Sequence, residues 1–184
     1  HSGMSFLLAP VMVWFLDGAA KGNDADLSSA AMAALFIGGL SLSAMVFNPV
    51  VGWMGDKWSK EKISSIAMAA GVVSLLSILN QSGQLWQMAI FVVLLAFSES
   101  ANPLAWSLMG EYFGRKSYAT LRGWQHLPDQ LMSMSTPVWM GWIFDHSESG
   151  YFWALIPLAG IYALAAACYL IIPRPKLPAR LRRR

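Results

Sequence analysis

Charge is what this chain of 184 residues most lacks: Asp, Glu, Lys and Arg make up 12% of it, against about 25% in an ordinary soluble domain. A chain so poor in charge does not cover a water-exposed surface of its size. With 56% hydrophobic residues and a mean hydropathy of +0.47, it reads as an integral membrane protein. Cysteine is nearly absent. The single one, Cys168, lies in an apolar run, which excludes an intrachain disulfide and a thiolate metal cluster, and we expect no cofactor and no bound metal. The chain starts at His1, and its first apolar stretch has neither a basic head nor a small-residue cleavage site. The expectation is a fragment of a longer protein rather than a secretory signal.

The few cations present are sorted. Of 13 Lys and Arg residues, all but Lys21 fall within 57–62, 115–122 and 174–184. These segments occupy alternate gaps between apolar stretches, the pattern of a polytopic protein with its positive loops in the cytoplasm. A net charge of +3 and a pI near 9.2 would also suit nucleic acid, but the excess sits in the tail 174–184, where anchoring beside anionic lipid accounts for it, so no nucleic-acid partner is expected.

A helix needs about 20 residues to cross a bilayer core roughly 30 Å thick, and six stretches approach that length. We label them A (4–20), B (28–54), C (63–79), D (85–109), E (119–144) and F (151–172). The A–B link carries Asp17, Asp24 and Asp26, and the E–F link Asp145 and Glu148, which places both outside. Six crossings then leave both chain ends in the cytoplasm, in the plasma (inner) membrane. Small residues on B (Gly38, Gly39, Ser41, Ser43, Ala44) and on C (Ala67, Ala69, Ala70, Gly71) would let helices approach closely in lipid.

Three motifs stand in order along the chain. Gly52-Trp53-Met54-Gly55-Asp56-Lys57-Trp58-Ser59-Lys60-Glu61-Lys62 joins B to C. Glu111-Tyr112-Phe113-Gly114-Arg115-Lys116, followed by Leu121-Arg122-Gly123, joins D to E. Pro137-Val138-Trp139-Met140-Gly141-Trp142-Ile143-Phe144-Asp145 ends E, before Gly150-Tyr151. The first resembles the G-x-x-x-D-(R/K)-x-G-(R/K)-x-(R/K) loop of the major facilitator superfamily, with Ser59 in place of a glycine. The others resemble the loop between the fourth and fifth helices and the end of the fifth helix in that family's C-terminal half.

The resemblance implies an all-α polytopic membrane protein, six transmembrane helices forming one half, spans seven to twelve, of a major-facilitator-type transporter. The N-terminal six-helix half would be missing from this chain. It further implies a secondary transporter of a small solute, with Gly52, Asp56, Lys57, Lys60, Arg115, Lys116 and Arg122 in cytoplasmic gating loops. The Asp17-Gly18 turn and the Y-F-G-R-K loop lean toward the oxalate/formate and monocarboxylate branch.

Charges at membrane depth cost about 2.5–3.5 kcal/mol each on insertion scales, so those that persist face an aqueous cavity or a partner. C and F have none. Glu99 lies about 14 residues, or roughly 21 Å, into D, while His126 and Asp129 lie in the inner half of E. Around Glu99, Ser98 and Asn102 supply donors and acceptors, and Pro103 frees a carbonyl. We expect a proton-coupling or substrate-contacting carboxyl there, against the simpler reading of a structural hydrogen bond to a neighbouring helix. His126 and Asp129 share a helical face, fit for a relay or an anion contact. An interfacial polar cluster near Arg122 explains them equally well. Asn48-Pro49 on B reads as a kink before a ligand.

Partners are therefore a small solute, protons and the lipid bilayer. A small organic anion would want a buried cation, and no Lys or Arg stands at mid-membrane in the sequence. Two other classes compete. A six-span divalent-cation exporter needs paired His/Asp ligands on two helices, and only E offers them. An intramembrane hydrolase needs a nucleophile, yet no G-x-S-x-G elbow is present, and we expect no enzyme.

Overall fold

In a computed structural model the residues described are 2–17, 25–79, 84–114, 117–147 and 151–172. They form seven helices: α1 (Ser2–Asp17), α2 (Ala25–Lys57), α3 (Lys60–Ser77), α4 (Leu85–Glu99), α5 (Asn102–Phe113), α6 (Tyr118–His146) and α7 (Phe152–Ile171), with no strand among the described residues. Stretches B, C, E and F each correspond to one helix. A corresponds to α1, which ends at Asp17, and 18–20 lie outside the described residues.

Stretch D differs. Where one rod is expected, the chain makes two helices that meet at Ser100 and Ala101. Pro103 has no N–H to return to the Glu99 carbonyl four residues back, so the α-helical ladder cannot run through. The corner closes instead with the Ser100 N–H on the Ala96 carbonyl at 3.0 Å and the Ala101 N–H on the Ser98 carbonyl at 3.3 Å. Pro103 then sits in the first turn of α5, where a missing donor is tolerated. The broken pair still makes a single apolar passage. Leu85–Phe113 is one of three segments among the described residues long and apolar enough to cross a membrane, with Ala31–Lys57 and Phe152–Ile171.

Packing centres on α3, which lies against both α4 and α7. Ala67 and Ser74 on its inner face are fully buried. The Ser74 hydroxyl donates to the Phe91 carbonyl on α4 at 2.9 Å, and the Ser65 hydroxyl donates to the Ala166 carbonyl on α7 at 2.8 Å. In lipid, close van der Waals contact and such bonds hold helices together, since hydrocarbon offers no hydrophobic drive between them. Gly71 shows how tight the contact is. A Cβ there would stand 2.7 Å from the Ser98 Oγ and against the Tyr162 ring, so only glycine allows the approach. Gly38 and Gly39 on α2 behave otherwise, with nothing within 4 Å of an added Cβ, so these two glycines do not mediate a close approach here, whereas Gly55 near the end of α2 lies against Leu104 of α5.

Phe15 and Met12 of α1, Met88, Phe91 and Leu95 of α4, Met140 of α6 and Leu155 of α7 complete one core. Its outer surface is apolar too. Leu35, Leu42 and Met45 on α2 and Leu164, Leu170 and Ile171 on α7 are all exposed, the exterior of a bundle that lipid covers.

The bundle's two ends can be told apart. α2 and α3 are joined by only Trp58 and Ser59, and Glu61 in the first turn of α3 faces the positive end of its dipole. Lys60 donates to the Ser107 hydroxyl at 2.6 Å and pairs with Glu111 on α5, which puts the 57–62 turn at the same end as the close of α5. The Ser65–Ala166 bond brings the last turns of α7 there as well.

Candidate functional site

α6 departs from the pattern of its neighbours. Met140 and Ser133 in its later half are buried, yet every residue from Arg122 to Met132 is exposed. The first half of α6 stands off from the bundle. Between it and α3, α5 and α7 lies an open cavity of about 330 Å³, lined by Met68, Ala101, Asn102, Ala105, Trp106, Tyr169 and, from α6, Arg122, Gln125, His126 and Asp129. That volume is at the lower end of the range for small-molecule sites.

Helical geometry explains the polar lining. Arg122, His126 and Asp129 stand at i, i+4 and i+7, a single stripe of α6. The Trp106 indole N–H donates to the Asn102 Oδ1 at 2.8 Å, one turn back on α5, which fixes the ring plane. The Arg122 guanidinium lies over that ring, and one of its nitrogens donates to the Tyr118 hydroxyl at 3.4 Å. An arginine held by its flat face keeps its N–H edge available for a carboxylate. The cavity thus holds guanidinium, imidazole and amide groups, with one carboxylate, Asp129, two turns from Arg122.

His126 and Asp129 both line this cavity. The His126 Nε2 meets the Gln130 side chain at 3.1 Å, with the roles of the two nitrogens set by the imidazole tautomer. Asn102 belongs to the site, and Arg122 is part of its wall rather than only of a loop. Asn48 lies elsewhere, exposed on α2, where the helix runs on through Pro49. Gly52, Asp56 and Lys57 lie at the end of α2, Lys57 over the Trp53 ring at 4.1 Å. Arg115 and Lys116 lie outside the described residues.

Ser98 and Glu99 occupy a second polar place, at the corner between α4 and α5. Ser98 is fully buried, and neither its Oγ nor the Glu99 Oε1 has a hydrogen-bond partner among the described residues. Both stand beside Tyr162 of α7, whose phenol lies within electrostatic reach of the Glu99 carboxyl. This corner adjoins the cavity, because Ala101 and Asn102 belong to its wall.

A transmembrane bundle with a polar cavity on one side and the basic 57–62 turn at one end narrows the choice of protein class, and sequence comparison decides it. The family described as Major Facilitator Superfamily matches residues 1–184. The chain belongs to that superfamily. As a major facilitator it is an integral membrane protein of the class that carries small solutes by secondary transport. No curated protein and no solved structure matches it.

For a major facilitator, sequence reasoning singled out the acidic and basic groups but not their scaffolding. Trp106, Gln125 and Tyr169 in the cavity wall, and Tyr162 beside Glu99, were not singled out. Only Trp106 left a signal, its i+4 spacing from Asn102. Among the described residues no three His, Cys, Asp or Glu side chains gather in one place, so the exporter alternative gains no support.

Proposed function

We propose that this chain is a six-span unit of a secondary carrier for a small organic anion, in the plasma membrane with its basic turns and its C-terminus in the cytoplasm. The solute binds between α5 and α6, with its anionic group on Arg122 and His126 and its orientation set by Asn102. The observation that carries this reading is the Arg122 guanidinium held against Trp106 in a cavity of about 330 Å³, the cation that an organic acid requires. A second six-helix unit covers the exposed stripe of α6, since a polar face left to hydrocarbon would be costly. Rocking of the two units about this site then gives alternating access. The basic turns, with Gly52, Asp56, Lys57, Lys60, Arg115, Lys116 and the nearby Glu111, form the inner gate. Glu99, at the adjoining corner, couples solute movement to a proton gradient.

Uptake of short mono- and dicarboxylates into proteoliposomes tests this. Hydrogen bonds to charged groups contribute about 1.5–3 kcal/mol, so Arg122→Ala should lower kcat/KM roughly 10- to 100-fold. Unchanged uptake of every acid by that variant would remove Arg122 from the site.

A further inference from the structure

We infer that the acid bound at Arg122 is an amphipathic monocarboxylate, whose apolar body of several carbons lies in a groove between the end of α5 and the start of α6. This rests on the anion reading of Arg122 given above and names the class of acid.

The groove has a volume of about 580 Å³ and is lined by Pro103, Trp106, Ser107 and Gly110 of α5 and by Tyr118 of α6. Pro103, Ser107 and Gly110 stand at i, i+4 and i+7, with Trp106 beside them, so they form one stripe of α5 about 10 Å long. Its surface is a pyrrolidine ring, an indole and bare backbone. The one hydroxyl, that of Ser107, already accepts the Lys60 ammonium at 2.6 Å. Gly110 keeps the groove open, since a Cβ there would stand 3.8 Å from the nearest side-chain atom, on the Tyr118 ring.

Continuity with the anion site points to the occupant. Trp106 lines both the groove and the cavity of about 330 Å³. The Arg122 guanidinium lies over that same indole and donates to the Tyr118 hydroxyl at 3.4 Å, so the two side chains that hold the cation are walls of the groove. A carboxylate on Arg122 is thereby set beside apolar surface, and carbons attached to it leave water for an aromatic wall. An acid of one or two carbons would gain nothing from it.

Charge selects a single carboxylate. Asp129 in the cavity wall repels a second one, and Lys60, behind Ser107, is already paired with Glu111. A second carboxylate lying along the groove would give up water without finding a partner, which is costly.

Isothermal titration calorimetry of the full-length protein in lipid nanodiscs, with empty nanodiscs as the blank, tests the groove with acetate, butyrate and hexanoate at neutral pH. Each methylene taken from water should lower Kd about 3-fold, so hexanoate should bind roughly 80-fold more tightly than acetate. Adipate, which adds a carboxylate at the far end of the same chain, should bind about 10-fold more weakly than hexanoate. Gly110→Leu, which fills the groove, should bring hexanoate back to the level of acetate, while Gly110→Ala, whose methyl fits, should keep the gain. The comparison of hexanoate with adipate on the unaltered protein keeps the test open if Gly110→Leu folds poorly.

Affinity independent of chain length, adipate bound as tightly as hexanoate, or a gain undiminished in Gly110→Leu would overturn the groove as the seat of the apolar body. Equal loss of all three acids in Gly110→Leu would make it a packing surface for the covering unit and overturn it as well. A flat series whose binding is still lost in Arg122→Ala would leave the anion site standing without the groove. No binding of any acid would remove both.

Discussion

Arg122 shows how one residue changes meaning once its neighbours are known. In the sequence it belongs to a basic segment and reads as a loop anchor, and a cation at mid-membrane is missing. In the fold it stands in the first turns of α6 with its guanidinium on the Trp106 face, inside the cavity wall. The i, i+4, i+7 stripe of Arg122, His126 and Asp129 was legible from spacing alone. That a cavity lies in front of it was not, because that depends on how far α6 stands from α5. Charge alone does not make this contact, and Arg122→Lys should lose several-fold in kcat/KM where a pure charge requirement would lose nothing. Trp106→Ala should cost about as much, and the double variant little more than either single one, since both changes remove the same contact. Additive losses in a double-mutant cycle of uptake would show that the two residues act separately.

Helices were read well from the sequence where apolar stretches ended in Gly, Pro or charge, and less well where a break fell inside an apolar run. In stretch D the carbonyl freed by Pro103 was legible, but apolar residues continue on both sides of it, and the division into two helices emerges only with the Ser100–Ala101 corner. Small residues misled in the same way. Glycines on α2 and α3 look alike in sequence, yet Gly38 and Gly39 stand open while Gly71 is enclosed, because its neighbour across the interface is a tyrosine from a helix 91 positions later. Gly71→Val should therefore lower stability by about 1–3 kcal/mol through overpacking, read as a fall in Tm, while Gly38→Ala should leave it nearly unchanged. Equal effects at the two positions would contradict the packing described. The Lys60–Glu111 pair links α3 to α5, and with one partner half-exposed its coupling should be no more than about 1 kcal/mol. Its use is then to set an end-to-end register rather than to hold the fold.

For the whole molecule, the sorting of cations predicted that alternate turns share a side, and the contacts of Lys60 and Ser65 bring the 57–62 turn and the close of both α5 and α7 to one end. With Cys168 the single cysteine, topology is open to a direct test. In a Cys168→Ser background, a cysteine at Ser59 should react with a membrane-impermeant maleimide only from the cytoplasmic face, and one at Ser147 only from the opposite face. Labelling of both from one side would undo the arrangement of spans.

The standing-off of α6 also bears on how such a protein changes over generations. Residues from Arg122 to Met132 are exposed, and so they contribute little to what keeps the bundle folded. Under the proposed function, replacements there can alter which cargo is accepted while answering to the covering unit rather than to this bundle's own core. Within this bundle α6 is thereby freer to change than α3, which is enclosed on its inner face and held by its neighbours.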